Sequence, residues 1–120
     1  MSDYKHIDMT YLNDLAMGSN DFMIEMLESF TKTTPESIKT MKESIATEDW
    51  KTIGGLAHKL KTSYSFMGMD NMVTLSKTLQ NFGLEGENLD EIPNMINEMH
   101  EEYFKAEKEL LLELDKLKND

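Results

Sequence analysis

One histidine in the middle of the chain has neighbours that suit it to nucleophilic chemistry. The positions three and four residues from His58 hold Gly54, Gly55, Lys61 and Thr62, and on a helix these positions crowd or expose a side chain. Glycine inside a helix lowers the stability of the helix by about 1 kcal/mol relative to alanine. Two glycines here are therefore unfavourable for folding, and one explanation is that they let another macromolecule reach the imidazole. The Lys61 ammonium group could contact a phosphoryl group carried by the ring. The spacing therefore favours an accessible, reversibly modified histidine.

The charge around this histidine differs from the charge of the whole chain. The 120 residues include 23 Asp and Glu against 12 Lys and Arg, a formal net charge of −11. No acid lies between Asp49 and Asp70, and that window contains Lys51, Lys59 and Lys61. A carboxylate beside the ring would repel a phosphoryl group, so the gap fits an anionic adduct. The acidic surface elsewhere would repel a phosphate backbone, and we expect no nucleic-acid partner.

Apolar residues recur at the three- and four-residue spacing of amphipathic helices along the whole chain. The N-terminal part predicts a short helix at about 11–16 and a longer one from about Asp21. We expect a break at Thr34 and Pro35, because threonine can cap a new helix and proline is tolerated in its first turn. The remaining predicted features are helices at about 50–67, 70–82 and 92–117, stops at Gly68 and Gly83, a loop at 84–90, and Pro93 in the first turn of the last helix.

Helices of this kind, joined by short turns, bury their apolar faces together as a bundle. We therefore predict an all-α fold, an antiparallel up-and-down four-helix bundle with an additional short N-terminal helix. One domain is expected over residues 1–120, with the core bundle at about 34–118 and the N-terminal helices at about 9–33 packed on it. A monomer is expected, because one bundle accommodates every apolar stripe. Without cysteine, an N-terminal signal or a membrane-length apolar run, the chain is expected to be cytoplasmic and to have no membrane partner.

Residues 58–63, with the sequence HKLKTS, resemble the H-x-x-K-G-S segment of histidine-containing phosphotransfer (Hpt) domains. Other features that resemble the family, in chain order, are residues 11–15, the helix at 22–30, Pro35, residues 48–50, Gly68, the helix with Leu75 and Leu79, and the acidic last helix. The resemblance covers nearly the whole chain. It implies that His58 accepts a phosphoryl group from a receiver-domain aspartate, of a response regulator or a hybrid sensor histidine kinase, and passes it to another regulator.

The resemblance also implies roles for residues around the histidine. Lys61 would stand at the family's phosphate-contacting lysine, and Gln80 at the polar residue of the facing helix that hydrogen-bonds near the histidine. Lys59 would assist electrostatically. Thr62 departs from the usual glycine, and its side chain would narrow the partner's approach or add a hydroxyl contact. Four residues are expected to define the partner's access to the ring: Gly54, Gly55, Thr62 and Ser65.

The sequence contains no Gly-rich phosphate-binding loop of Walker or kinase type. We therefore expect no autophosphorylation from ATP, and the chain is predicted to be a phosphocarrier rather than an enzyme. No cofactor or metal is expected in the chain itself. The resemblance places Mg²⁺ on the partner receiver domain, where the ion would help to orient the phosphoryl group.

The main alternative is a non-catalytic helical adaptor bundle whose histidine is incidental. Eleven methionines could also form a helix-binding surface, but most of them lie on the apolar stripes, which favours a role in core packing. A carboxylate-bridged metal site needs Glu-x-x-His spacing, and neither His58 nor His100 has a glutamate three residues before it. His6 and His100 are expected to be solvated.

Overall fold

The structure is a computed structural model that describes residues 4–119. Within this range the chain forms five α-helices and one 3-10 turn: α1 (Thr10–Ala16), α2 (Asn20–Ala46), α3 (Trp50–Phe66), α4 (Asp70–Glu85), the 3-10 turn (Leu89–Glu91) and α5 (Ile92–Lys118). Helices α2 and α5, of 27 residues each, account for the 46 Å length of the molecule, since each spans about 40 Å. Residues 1–3 and 120, which the predicted domain includes, lie outside the described part.

The four long helices pack in a ring, in which α2 contacts α3 and α5, and α4 also contacts α3 and α5. This arrangement confirms the predicted four-helix bundle, and α1 is the additional short helix, packed on α2. Each long helix buries one stripe of large apolar side chains in the centre, including Leu27, Met41, Ile53, Leu60, Leu79, Ile96 and Leu110. Burial of such a side chain contributes about 1.5–3 kcal/mol. Because the ring closes, the α3–α4 pair and the α2–α5 pair form opposite faces of the bundle.

The predicted break at Thr34 and Pro35 is wrong, because α2 continues through both residues. A proline inside a helix lacks the N–H that would bond to the carbonyl four residues earlier, which costs about 3 kcal/mol. That carbonyl belongs to Thr31, and the Tyr103 hydroxyl of α5 donates to it at 3.2 Å. A hydrogen bond from another helix thus satisfies the carbonyl that Pro35 leaves unpaired, and α2 remains continuous.

The predicted stop at Gly83 is also wrong, because α4 continues to Glu85 and ends at Gly86, which has φ +71°. Gly83 lies instead against α3, where an added Cβ atom would be 2.7 Å from the Trp50 carbonyl oxygen. Gly68, with φ +67°, does follow the end of α3 as predicted, and Pro93 does lie in the first turn of α5. The glycine at position 83 serves close helix packing rather than termination.

The Glu109 carboxylate binds three consecutive backbone N–H groups of the segment before α1. Glu109 of α5 accepts hydrogen bonds from the backbone N–H groups of Lys5, His6 and Ile7 at 3.0, 2.8 and 3.2 Å. The next N–H along the chain, that of Asp8, donates to the Met67 carbonyl at 3.0 Å. The N-terminal segment therefore joins α5 to the end of α3.

His6 and His100, which were predicted to be solvated, are both half-buried and keep part of their surface exposed. His6 Nδ1 lies 3.9 Å from a carboxylate oxygen of Glu102. Lys42 Nζ lies 3.0 Å from His100 Nδ1, and because an ammonium group can only donate, Nδ1 is the acceptor. The sequence spacing does not reveal either contact, because each partner comes from another part of the bundle.

Candidate functional site

The rotation of α3 about its axis decides which of its residues face outward. Asp49 caps the helix by accepting from the Thr52 N–H at 3.2 Å and the Thr52 hydroxyl at 2.7 Å, and these hydrogen bonds lower the pKa of Asp49. The core stripe of α3 is Ile53, Ala57, Leu60 and Tyr64, all buried. His58 follows Ala57 by about 100° around the helix, which turns it away from this stripe, and its side chain is exposed.

The outward surface next to His58 is open on the side of Gly55. An added Cβ atom at Gly55 would meet nothing within 4 Å, and Thr62, one turn after the histidine, is exposed. Ser65 is half-buried, and its hydroxyl donates to the Thr62 carbonyl at 2.6 Å. A partner thus has room above Gly55 and meets the threonine side chain on the other side of the ring.

The prediction that Gly54 opens access to the histidine is wrong. Gly54 is buried, and an added Cβ atom there would lie 2.8 Å from Leu84 Cγ on α4. A Cβ atom on Gly83 would in turn lie 3.0 Å from the Gly54 backbone nitrogen. The two glycines let α3 and α4 approach closely, and their contact fixes the relative register of the two helices.

This register brings Gln80 level with His58. From the contact between Gly54 and Leu84, one turn forward along α3 leads to His58, and one turn back along the antiparallel α4 leads to Gln80. Gln80 is half-buried, and its Oε1 atom is buried without a hydrogen-bond partner in the described part of the chain. An unpaired buried acceptor costs about 1–3 kcal/mol. The amide oxygen is therefore an acceptor that lacks a donor, at the level of the candidate nucleophile.

The lysines of this face lie on different sides of the histidine. Lys61 is turned about 60° from His58 toward the side of α3 that faces α4, whereas Lys59 is turned about 100° in the opposite direction. Both follow His58 within one helical turn. Lys61 is half-buried and Lys59 is exposed. Lys61 therefore lies in the angle between the two helices, where a group bound to the imidazole would be within reach of its ammonium group.

Helix α4 adds a lysine to the basic surface formed by Lys59 and Lys61 of α3. The sequence pattern did not predict this contribution. Lys77 is exposed on α4, and the register of the two helices places it level with Lys61. No acid occurs between Asp70 and Glu85, so the acid-free window of α3 has a counterpart on the helix beside it. The absence of acids at 71–84 was a visible signal, but its meaning depends on knowing that α3 and α4 are neighbours.

Exposed apolar groups lie beyond both ends of the basic surface. Leu84 is 51% exposed and lies about one turn from His58, across from Gly54. At the other end, the Tyr11 ring of α1 stacks on Phe66 with 5.8 Å between the ring centroids, and Tyr11 is 50% exposed. The sequence gives no sign of this pairing, because it depends on where α1 packs. The site thus combines an exposed nucleophile, cations and apolar contact surface.

The arrangement suits transfer of an anionic group to a nitrogen nucleophile. A neutral imidazole nitrogen is a nucleophile near neutral pH, and adjacent ammonium groups stabilise negative charge on the group transferred. Within residues 4–119, no cluster of three or more His, Asp or Glu side chains is arranged to hold a metal ion. In the same part of the chain, no helix is long and apolar enough to cross a bilayer.

Comparisons with known proteins agree with this description. The model of the Hpt domain family matches residues 25–119, a range that includes α3 and His58. The structure is similar to the crystal structure of histidine-containing phosphotransfer protein B (HptB) from Pseudomonas aeruginosa PAO1, with a TM-score of 0.85 and 22% sequence identity over 95% of this chain and 98% of that chain. At this identity the likeness shows the fold, the all-helical bundle. No curated protein matches the chain.

Proposed function

Because the chain belongs to the Hpt domain family and has a phosphotransfer role in two-component signalling, we propose that His58 is the residue that carries the phosphoryl group. In this proposal His58 accepts the group from a receiver-domain aspartate, on a response regulator or a hybrid sensor histidine kinase, and passes it to another response regulator. One observation carries the assignment: His58 is exposed on α3 in a region without acids. The two other histidines are half-buried, His100 within α5 and His6 beside it.

The chemical step exchanges one bond to phosphorus for another. The unprotonated imidazole nitrogen of His58 attacks the phosphorus atom of the aspartyl phosphate, and the N–P bond forms as the O–P bond to the aspartate breaks. The receiver regains its carboxylate, and the ring becomes a cation that still holds a proton on its other nitrogen. Donation to the next regulator is the reverse step, with a different aspartate as the nucleophile.

The proposal gives Lys61 and Gln80 separate tasks in this step. The Lys61 ammonium group donates to phosphoryl oxygens and offsets their charge in both directions of transfer. In the proposal the unpaired Gln80 Oε1 atom accepts a hydrogen bond from the N–H group of the imidazole ring, which fixes the tautomer and stabilises the cationic ring. Lys59 contributes a more distant positive charge. The Mg²⁺ ion expected on the receiver would neutralise phosphoryl charge from the partner's side.

The test measures transfer of a labelled phosphoryl group from a phosphorylated receiver domain to three proteins. These are the wild type, the variant His58→Gln and a control variant, His100→Gln. The wild-type protein and the control should acquire the phosphoryl label, and His58→Gln should acquire none. Because His58 is exposed, its replacement should change the free energy of unfolding by less than about 0.5 kcal/mol. A labelled His58→Gln protein would refute the assignment. An adaptor bundle, the alternative function, would bind the receiver without acquiring label in any variant.

We also propose that the protein is a phosphocarrier without ATP-dependent kinase activity, that it is a monomer, and that it is located in the cytoplasm. The monomer is supported by the closed ring of helices, which buries the apolar stripe of each long helix within one chain. Incubation with radiolabelled ATP alone should leave the protein unlabelled. Analytical ultracentrifugation tests the monomer, and fractionation of cells tests the location.

A further inference from the structure

The α2–α5 face carries a groove that the phosphoryl-transfer site does not use. A cavity of about 260 Å³ lies between the two helices, lined by Pro35, Ile38, Lys39, Lys42, His100 and Phe104. A shallower depression of about 420 Å³ continues along α5 as far as Lys108. The two share His100 and Phe104 in their linings. The two adjoining depressions together are called the α2–α5 groove.

The floor of the α2–α5 groove is apolar and held in place. Phe104 is 44% exposed, and Leu111, two turns later on the same side of α5, is 49% exposed. The Phe104 ring packs against His100 at 4.7 Å and edge-to-face against Tyr103 at 5.5 Å between centroids. Phe104 lines both cavities, whereas Leu111 lies beyond their lining, so Phe104 is the large exposed apolar residue of the floor. The Phe104 ring therefore offers a fixed apolar surface that an apolar side chain of a ligand could contact.

The rim of the α2–α5 groove is basic on a chain of net charge −11. Lysines 39, 42, 105 and 108 line it, together with one acid, Glu101. Of these lysines, Lys105 pairs with Glu102 at 3.4 Å, and Lys42 donates to His100. Lys39 and Lys108 form no ion pair within the described residues, so two cations border the apolar floor without a carboxylate partner.

The acids closest in sequence to the α2 lysines do not line the α2–α5 groove. Glu36 and Glu43 are turned by about 60° and 40° from Lys39 and by about 120° and 100° from Lys42 around the helix axis, and neither lines the cavity. Both lie within one turn of Lys39 and therefore weaken its attraction for an anion. The groove itself is lined by four lysines and one acid, Glu101.

We propose that the α2–α5 groove binds an acidic peptide segment of a partner protein that contains a large apolar side chain. The apolar side chain would contact Phe104, and the carboxylates would pair with Lys39 and Lys108. From His100 to Lys108 the groove extends for about 12 Å, the length of about four residues of extended chain. Because this face is opposite the α3–α4 face, the bound partner leaves His58 open to a receiver domain.

Fluorescence anisotropy with a defined probe tests the binding. The probe is a fluorescein-labelled peptide in which glutamates alternate with two leucines and one tryptophan. One matched peptide has serines in place of the apolar residues, and another has lysines in place of the glutamates. The full chain should bind the probe at least about tenfold more tightly than either matched peptide, since one lacks the apolar anchor and the other the carboxylates. Equal affinities for the probe and the serine peptide would mean that only charge governs the binding and that the apolar floor does not contribute, which would overturn the proposal.

Charge reversal locates the binding on the molecule. The double variant Lys39→Glu with Lys108→Glu should weaken probe binding by about tenfold, because two attractions become repulsions. The control, Lys51→Glu with Lys77→Glu, makes the same change of net charge on the opposite face and should change the affinity by less than about twofold. Equal weakening by the two double variants contradicts a site in the groove. The groove variant should still accept the phosphoryl group from a receiver at the wild-type rate, which separates this proposal from the assignment of His58.

Discussion

The side chains of Lys59 and Lys61 carry the same charge within one turn of His58, but they face different directions. Lys61 lies toward α4, and Lys59 lies on the far side of the histidine. Lys61→Ala should therefore slow phosphoryl acceptance by about tenfold to a hundredfold, because it removes a charge-assisted hydrogen bond worth about 1.5–3 kcal/mol. Lys59→Ala should slow it by less than about threefold, since an exposed charge interacts only weakly through the high dielectric of water. Time courses of labelling by a phosphorylated receiver measure both rates.

Lys61→Arg is the matched control for charge at this position. It keeps a cation and a donor, so it should retain more activity than Lys61→Ala, although its planar group will not reproduce the lysine contact. If Lys59→Ala slows transfer as much as Lys61→Ala does, total charge rather than position governs the step. A specific contact between Lys61 and the phosphoryl oxygens would then be ruled out.

The outward position of His58 could be predicted from the sequence, whereas the roles of the two glycines before it could not. The spacing from the apolar stripe is enough to turn the histidine away from the core. Gly54 and Gly55 lie about 40° and 60° to either side of His58 around the helix, so the local pattern treats them alike. Only the position of α4 decides that Gly54 is buried and that Gly55 is open.

At the scale of helices, the contact between α3 and α4 depends on the lack of a side chain at Gly83. A Cβ atom there would meet backbone atoms of Trp50 and Gly54 at 2.7 and 3.0 Å, and backbone cannot move aside as a side chain can. Gly83→Ala should lower the free energy of unfolding by about 1–3 kcal/mol, despite alanine's better helix propensity. Gly55→Ala, the control in open space, should raise it by about 0.5–1 kcal/mol. Chemical denaturation followed by circular dichroism measures both.

A Gly83→Ala protein as stable as the wild type would mean that α3 and α4 pack less closely than described. The register argument for Gln80 would then fail as well, because it starts from this contact. Rates of phosphoryl acceptance by the folded variant add a second measurement. Moving α4 away from α3 should also move Gln80 away from His58 and slow the transfer.

Apolar periodicity predicts which segments are helical, but the points at which helices end depend on other parts of the chain. Pro35 and Gly83 both satisfy local rules for an interruption. Pro35 is tolerated because Tyr103, far away in sequence, donates to the Thr31 carbonyl. Gly83 is retained inside α4 because α3 needs the space. Gly86, three residues later, ends α4 in the left-handed conformation that glycine adopts readily.

The distribution of charge over the whole molecule bears on how a partner approaches. Residues 50–84, which cover α3 and all of α4 except its last residue, Glu85, contain four lysines and one acid, Asp70. The chain as a whole has a net charge of −11, so the face with His58 is positive while most of the surface is negative. An anionic aspartyl phosphate on a receiver is attracted to the first and repelled by the second. The charge pattern should therefore orient the partner before contact.

Orientation of this kind predicts a rate of association that depends on salt. Association with a phosphorylated receiver, followed by stopped-flow fluorescence, should slow as ionic strength rises from about 0.01 to 0.15 M, because the screening length falls from about 30 to 8 Å. Lys51→Glu with Lys77→Glu should reduce the association rate by about tenfold at low salt and affect dissociation much less, as expected for charges that steer encounter. Lys39→Glu with Lys108→Glu changes the net charge equally on the opposite face and should have a small effect. If both double variants slow association to the same extent, net charge alone controls the encounter, and the positive face around His58 does not guide the receiver.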